Sequence, residues 1–358
     1  MLFPYVYVPH QMEKMQTFID FIFFEVWCKA PESGQYGLEL FEANPDLHEV
    51  MTAFHYDDSK GAEFFSGHVE RIYSLFAALT PAQIDQFRLW YCANNDIEKV
   101  CANDSAASMA RYGDFPVEFK DVRDQLKSFF KDLYSHLDLA ALKAKIGDIN
   151  DHYNNAFWSE NKSGICPFCG VGHIKGPHHT KREAYDHYLP KSLYPFNSAN
   201  FRNLVPACHE CNTSYKQGKD PLDAAGRRRK AFYPYTASGI AIEVTVALRD
   251  ADIAKLTPED IIVHFGPAAV EEEIGTWTDM YGIEERYKAE LCGKNRGLYW
   301  LQQVLDEWKE DGRNPIDHLK TVGRQAQNSP YAECNFLKNA FLEECLAKGV
   351  FDSVEPDA

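Results

Sequence analysis

The sequence predicts an α+β chain, mostly helical, organised around a short cysteine-rich centre. Three observations carry this. Long stretches on both sides place apolar residues three and four apart, two Cys-x-x-Cys pairs bracket residues 166–211, and one segment alternates from Ile240 to Leu248. At 358 residues the chain exceeds one ordinary domain. A composition 45% hydrophobic and 14% aromatic is globular and fills a sizeable core.

Residues 1–150 read as a helical scaffold or partner-binding domain. Met15, Phe18, Ile19, Ile22, Phe23 and Val26 form one apolar stripe, and Phe21 and Phe24 put aromatics on the opposite face, so this helix should be covered on several sides. Val69, Ile72, Phe76 and Leu79 form a second stripe. Thr80-Pro81-Ala82-Gln83 then supplies an N-cap, a proline at the first helical position and a capping-box glutamine. A third helix carries Val122, Leu126, Phe129, Leu133 and Leu137. Asp148 to Gly164 is polar and reads as a linker. The core domain spans 160–235, and 236–358 reads as an α+β segment that turns helical. There Ile240 to Leu248 and Ile261 to Phe265 suit two strands, Leu298, Leu301, Leu305 and Trp308 share a helix face, and Gly349 ends a last helix from about Tyr331 to Lys348.

The apolar window from Phe18 to Trp27 is too short to cross a membrane and is broken by Asp20 and Glu25. No secretory start is visible, so the chain is expected to be soluble and cytoplasmic, without a membrane partner. In that compartment ten cysteines do not make a disulfide framework. Net charge is −16, yet residues 160–235 hold twelve Lys or Arg against six Asp or Glu, a balance of +6 that leaves −22 for the remainder. A basic island in an acidic protein is the footprint of a phosphate-contacting surface; a solvated basic face is the alternative.

Cys166, Cys169, Cys208 and Cys211 have the spacing of a structural zinc site, in which each two-residue turn aims two thiolates at one tetrahedral ion. Four thiolates leave no open coordination position, so this Zn²⁺ should staple and not catalyse. The gap from Cys169 to Cys208 exceeds what a plain zinc ribbon needs and holds Asp186-His187. Asn203-Leu204-Val205-Pro206 precedes the second pair, Asn212 follows Cys211 directly, and Lys216 and Lys219 come next.

In this order the residues resemble the HNH endonuclease family, the ββα-metal nucleases, over about fifty residues. The resemblance implies a zinc-stapled ββα-metal core, with a first strand at Ala184–Leu189, a second at Asn203–Ala207 and a helix at Asn212–Gln217. It implies His187 as general base, because a near-neutral imidazole can take a proton from the attacking water. Asp186 and Asn212, hard oxygen donors, would hold a catalytic Mg²⁺ or Mn²⁺. Asn203 would tie the strands and orient the histidine. Lys216 and Lys219 are placed to meet phosphates, with a solvated helix face as the alternative. The run Arg227, Arg228, Arg229 and Lys230 could add phosphate contacts. His178 and His179 are expected to line the loop, with contact to the scissile strand as the alternative, and His209 to point outward from its turn.

The expectation is therefore a metal-dependent endonuclease hydrolysing phosphodiester bonds, in double-stranded DNA, with 5′-phosphate and 3′-hydroxyl ends. One centre cuts one strand, so duplex cleavage implies a homodimer through the helical regions or two nicks. Chains of this outline include the nuclease subunits of Septu-type phage-defence systems. The alternatives are a catalytically silent zinc-stapled nucleic-acid-binding module and a nuclease subunit that acts only when a protein partner engages it.

Overall fold

The computed structural model describes residues 1–250 and 253–352. The chain is mostly helical, with six short strands paired as three antiparallel hairpins among the described residues. The first stripe forms a helix over Lys14–Phe21 that continues as a wider π-wound segment over Ile22–Trp27. Its apolar face is fully buried while Phe21 and Phe24 are half-buried, so neighbours cover it on several sides. Pro81–Asn95 begins at the expected capping box, with the Thr80 hydroxyl accepting from the Gln83 amide and Gln83 reaching back to the Thr80 amide. The third stripe is the helix Lys120–Leu133.

The segment expected to be a linker is helical instead. Ile149–Asp151, His152–Phe157 and Trp158–Glu160 run on from one another, and His152, Tyr153 and Phe157 are buried. Its polarity belongs to the exposed side; Ile149, Tyr153 and Phe157, four residues apart, supply the inward side.

Strand β1 (Tyr185–His187) pairs with β2 (Leu204–Pro206), placing Asp186 opposite Val205 and His187 opposite Leu204. A helix over Glu210–Lys216 follows. β3 (Asp223–Ala224) and β4 (Arg227–Arg228) form a two-residue hairpin. β5 (Glu243–Leu248) pairs with β6 (Ile261–Gly266) along its length, and the helix Asn335–Ala347 packs against β5. Gly349 follows that helix at φ +71°, the left-handed geometry its position calls for.

The β1–β2 hairpin is clamped by tyrosines that precede and follow it in the chain. Tyr5 donates to the Pro206 carbonyl (3.1 Å) and Tyr235 to the Leu204 carbonyl (2.5 Å). Trp277 donates to the Phe168 carbonyl (2.6 Å) and Tyr287 to the Cys169 carbonyl (2.9 Å), which ties the first cysteine turn to the helices Glu271–Tyr281 and Ile283–Cys292. The loop between β1 and β2 is held by the N-terminal helices: Asn94 donates to the Pro195 carbonyl (3.1 Å), and the Tyr112 amide to the Leu193 carbonyl (2.9 Å). Among the described residues no helix is long and apolar enough to cross a membrane.

Candidate functional site

Two Cys-x-x-Cys turns meet at one point. The sulfurs of Cys166, Cys169, Cys208 and Cys211 all lie within 4.8 Å of one another and are buried, the one such ligand group among the described residues. Cys169 and Cys208 are 3.9 Å apart, sulfur to sulfur. Four sulfurs at tetrahedral corners about 2.3 Å from a zinc ion would be spaced about 3.8 Å apart. The surroundings also suit thiolates. The Gly172 amide donates to Cys169 Sγ (3.2 Å) and the Arg286 guanidinium to Cys211 Sγ (3.2 Å). A Cβ at Gly172 would come within 2.7 Å of Cys208 Sγ, so the sulfur cluster fills the space a side chain would take. Burial, then the neighbouring sulfurs, push the Cys166 thiol well up, so a cation is needed before all four can ionise together. The four buried cysteines can hold a structural metal such as zinc.

The second turn leads straight into the helix Glu210–Lys216, which lies beside β1. Asp186 is buried, and its Oδ1 accepts from the Lys216 ammonium at 2.9 Å. That ammonium also donates to the His187 carbonyl (2.9 Å), and Lys216 has no exposed surface. The sequence reading of Lys216 as a phosphate contact is thereby corrected: a short helix packed on β1 turns this lysine inward, where a buried carboxylate needs it. Asp186 Oδ2 is buried with no partner. So is the hydroxyl of Tyr281, whose pKa is raised by burial first and then by the Asp186 carboxylate. Burial likewise raises Asp186, against the lowering effect of Lys216. An orphaned carboxylate oxygen in a dry site calls for a proton, a water or a cation. Asn212 is half-buried, four residues before Lys216 and so on the same helix side; its backbone amide donates to the Cys208 carbonyl (3.0 Å), which leaves the side-chain amide to face the site.

His187 lies on the other side of β1, as neighbours in a strand do. Its Nε2–H donates to the Ser198 carbonyl (3.0 Å), which leaves Nδ1 with a free lone pair. The Tyr134 ring meets the imidazole edge-on at 4.9 Å. Burial, then the charges of Lys191 and Lys216, push the His187 pKa down to about 3 against the opposing Ser198 bond, so the ring is neutral at pH 7. Asn203 is fully buried between strand and loop: its Oδ1 accepts from the Leu189 amide (2.7 Å) and its Nδ2 donates to the Leu189 carbonyl (3.0 Å). Those bonds fix the chain just past His187. The Ser198 carbonyl depends on Phe196, which sits at φ +80°, an uncommon conformation for a bulky residue. Its buried ring lies among Phe23, Tyr91 and Phe130 at centroid distances of 5.5, 5.2 and 5.5 Å, packing that holds the strained residue in place.

The remaining basic residues divide. Arg228 donates to the Val100 carbonyl (2.7 Å); Arg229 donates to the Pro221 and Asp220 carbonyls and pairs with Asp279 (2.8 Å). These two brace the fold, whereas Arg227 is exposed, and so is Lys219, whose ammonium is 3.4 Å from the Asp279 carbonyl. His209 is exposed beside its cysteine turn. Sequence reasoning missed Lys216 as the partner of Asp186, and missed Arg286, Tyr281, Tyr134 and Lys191. No local pattern marks them: Arg286, Tyr281 and Tyr134 reach the site from distant elements, and nothing in the spacing tells which way Lys191 and Lys216 turn.

The chain is similar over 71 residues to Protein ea31 of Escherichia phage lambda, with 37% identity, and the match covers 20% of each chain. It thus spans about a fifth of that relative's length. No family model matches, and no solved structure matches.

Proposed function

We propose that this chain is a metal-dependent endonuclease of HNH type that hydrolyses phosphodiester bonds in DNA. The observation that carries the reading is His187 held through Nε2 on the Ser198 carbonyl, with Nδ1 turned free, one residue from the buried, unpartnered Oδ2 of Asp186. A general base needs a ring nitrogen whose lone pair is free, which that tautomer supplies. His187 Nδ1 would accept the proton of the attacking water. Asp186 Oδ2 and the Asn212 amide oxygen would hold Mg²⁺ or Mn²⁺, which supplies positive charge to the phosphate and the departing 3′-oxygen. Lys216 keeps Asp186 aimed, Asn203 keeps the strand end in register, and the four cysteines, with Zn²⁺, hold the helix against β1. A role in anti-phage defence, as in Septu-type systems, is part of the proposal and rests on the resemblance of the core residues.

One observation favours a second reading, a subunit that stays silent or merely binds nucleic acid until a partner engages it. The Lys216 ammonium already neutralises one oxygen of Asp186, so the chain alone carries a countercharge where a cation would act. Supercoiled plasmid, linear duplex and RNA incubated with the protein and with His187→Ala, with and without Mg²⁺ or Mn²⁺, test both. Metal-dependent nicking of DNA by the wild type and none by the variant is expected. Equal cleavage by the two proteins removes the mechanism, and no cleavage by either moves the balance to the partner-gated reading.

A further inference from the structure

Outside the centre just described, the strongest feature is a cleft of about 560 Å³ beside the loop that joins the first cysteine turn to β1. Trp158 lines it together with Lys162, His173, Lys175, His178 and His179, and no carboxylate is on its wall. The indole is placed by the helical segment that the sequence reads as a linker. Phe157 meets Trp158 edge-on at 6.3 Å and stacks on Tyr153 at 5.7 Å. Glycine stands where the chain passes the six-membered ring: a Cβ on Gly176 would lie 3.4 Å from Cζ2 and Cη2, and one on Gly164 4.0 Å from Cη2. The ring thus borders open space that side chains at these positions would narrow.

Two lysines, Lys162 and Lys175, flank the ring. Lys162 is exposed and has no ion pair among the described residues. Lys175 is 3.2 Å from Glu183, and its carbonyl accepts from the Tyr153 hydroxyl (2.6 Å). His179 Nδ1 lies 3.1 Å from the Gly176 amide and 3.2 Å from the Gly176 carbonyl, which fixes the ring on the cleft wall. The cations continue from this cleft to the centre. Arg182 lies 5.6 Å over the ring of Tyr185 and acts on the Tyr134 hydroxyl, whose ring meets His187 at 4.9 Å. Lys191 lies 5.8 Å over the same Tyr134 ring. The histidines do not form a metal site, because the four cysteines are the one metal-competent group among the described residues.

We propose that this cleft takes an unpaired nucleotide of the DNA strand on which the His187 centre acts. The base stacks on Trp158, the adjoining phosphates meet Lys162 and Lys175, and Arg182 and Lys191 carry the strand toward His187. An aromatic floor flanked by cations, with no carboxylate on the wall itself, is the pattern of single-strand recognition, since every base has a π-face and every linkage a negative charge. The substrate class that follows is DNA with a single-stranded or frayed stretch beside the cut. This inference rests on the nuclease reading for its choice of DNA, but its test does not require cleavage.

The full-length His187→Ala protein is titrated, in buffer without added divalent cation, with a labelled single-stranded oligodeoxynucleotide, the matching duplex and the RNA of the same sequence. Tighter binding to the single-stranded DNA is expected. Adding Trp158→Ala weakens that binding about 10-fold and leaves the duplex unchanged, while Trp158→Phe keeps most of it. Lys162→Ser lowers the slope of log affinity against log salt by about 0.7, with no change in thermal stability to confuse the result. Unchanged single-strand affinity in Trp158→Ala, equal losses for single strand and duplex, or tighter binding of RNA than DNA overturns the proposal. Wild-type cleavage with Mg²⁺ is scored separately. Cleavage with a Trp158→Ala protein that binds normally removes this cleft and spares the nuclease reading; Trp158-dependent binding without cleavage does the reverse.

Discussion

Arg286 is the residue whose loss should report most directly on the cysteine cluster. It is buried, its Nη1 donates to Cys211 Sγ at 3.2 Å and to the Tyr281 carbonyl at 3.4 Å, and its guanidinium lies 4.7 Å from the Tyr215 ring. Four thiolates around a divalent ion leave two negative charges in a buried site, and Arg286 is the cation in hydrogen-bond contact with them. A hydrogen bond to a charged group contributes about 1.5–3 kcal/mol. Taking about 2 kcal/mol, Arg286→Met should weaken metal binding about 30-fold, inside the range of about 10–100-fold seen when groups behind the ligands are removed. Competition with a chromophoric zinc chelator measures this, and the wild type should hold one ion per chain. Glu210, the other partner of Arg286 at 3.3 Å, has 57% of its side chain exposed, so Glu210→Gln should shift metal affinity less than about 5-fold. The reasoning fails if Arg286→Met keeps affinity within about twofold, if Glu210→Gln costs as much, or if the pure wild-type protein carries no zinc.

Asn203→Ala should destabilise the chain by about 2–4 kcal/mol in urea, because the Leu189 amide and carbonyl lose their partners in a site sealed from water; a loss under about 0.5 kcal/mol would mean the loop re-pairs by itself. Lys216→Met leaves the Asp186 carboxylate buried alone and should cost about 3–5 kcal/mol at pH 8, with Asp186→Asn in the same protein recovering part of it. No loss in Lys216→Met would show that Asp186 is already protonated. His152 gives a pH dependence of known sign. Burial first, and then the charge of His10, push its pKa down to about 4, with Asp151, Arg182 and the Val8 backbone as its other charged and polar neighbours and the Tyr185 hydroxyl bonded to Nδ1. The unfolded chain binds this proton near pH 6.5 and the folded chain does not, so stability is whole above pH 6.5 and falls as pH drops toward 4, by on the order of 3 kcal/mol. His152→Phe should flatten that part of a urea-midpoint profile; an unchanged slope would place the titration elsewhere.

What could be read from the sequence divides by how local its cause is. Cysteine pairs are legible because two thiols on one turn have few uses, and the structure brings all four together. The Thr80 capping box and the β5–β6 pair are legible because cap chemistry and period-two alternation act within a few residues. Ile149, Tyr153 and Phe157 were equally local, at helical spacing, but the asparagines between them masked the signal. The charged residues are another matter. Arg228 and Arg229 use guanidinium N–H groups on backbone carbonyls, Lys216 its ammonium on a carboxylate thirty positions away, and a phosphate would have served any of them as well. Composition counts such charges; only the packing says which are spent.

The same logic bears on the helical first 150 residues, which the sequence leaves without a chemical motif. The orientation of His187 depends on one carbonyl, that of Ser198, and a backbone carbonyl points only where its loop is held. Asn94 donates to Pro195, Asn197 to the Asn94 carbonyl (3.1 Å) and Asn200 to the Asn95 side chain (3.0 Å), all at the end of the helix Pro81–Asn95. Phe196 is pinned by rings from two further N-terminal helical segments. A small hairpin cannot bury enough surface to fix such a loop alone. The N-terminal helices are therefore part of what aims the imidazole, and a partner that shifted them by a fraction of a turn would act on His187 through the Ser198 carbonyl without touching the hairpin.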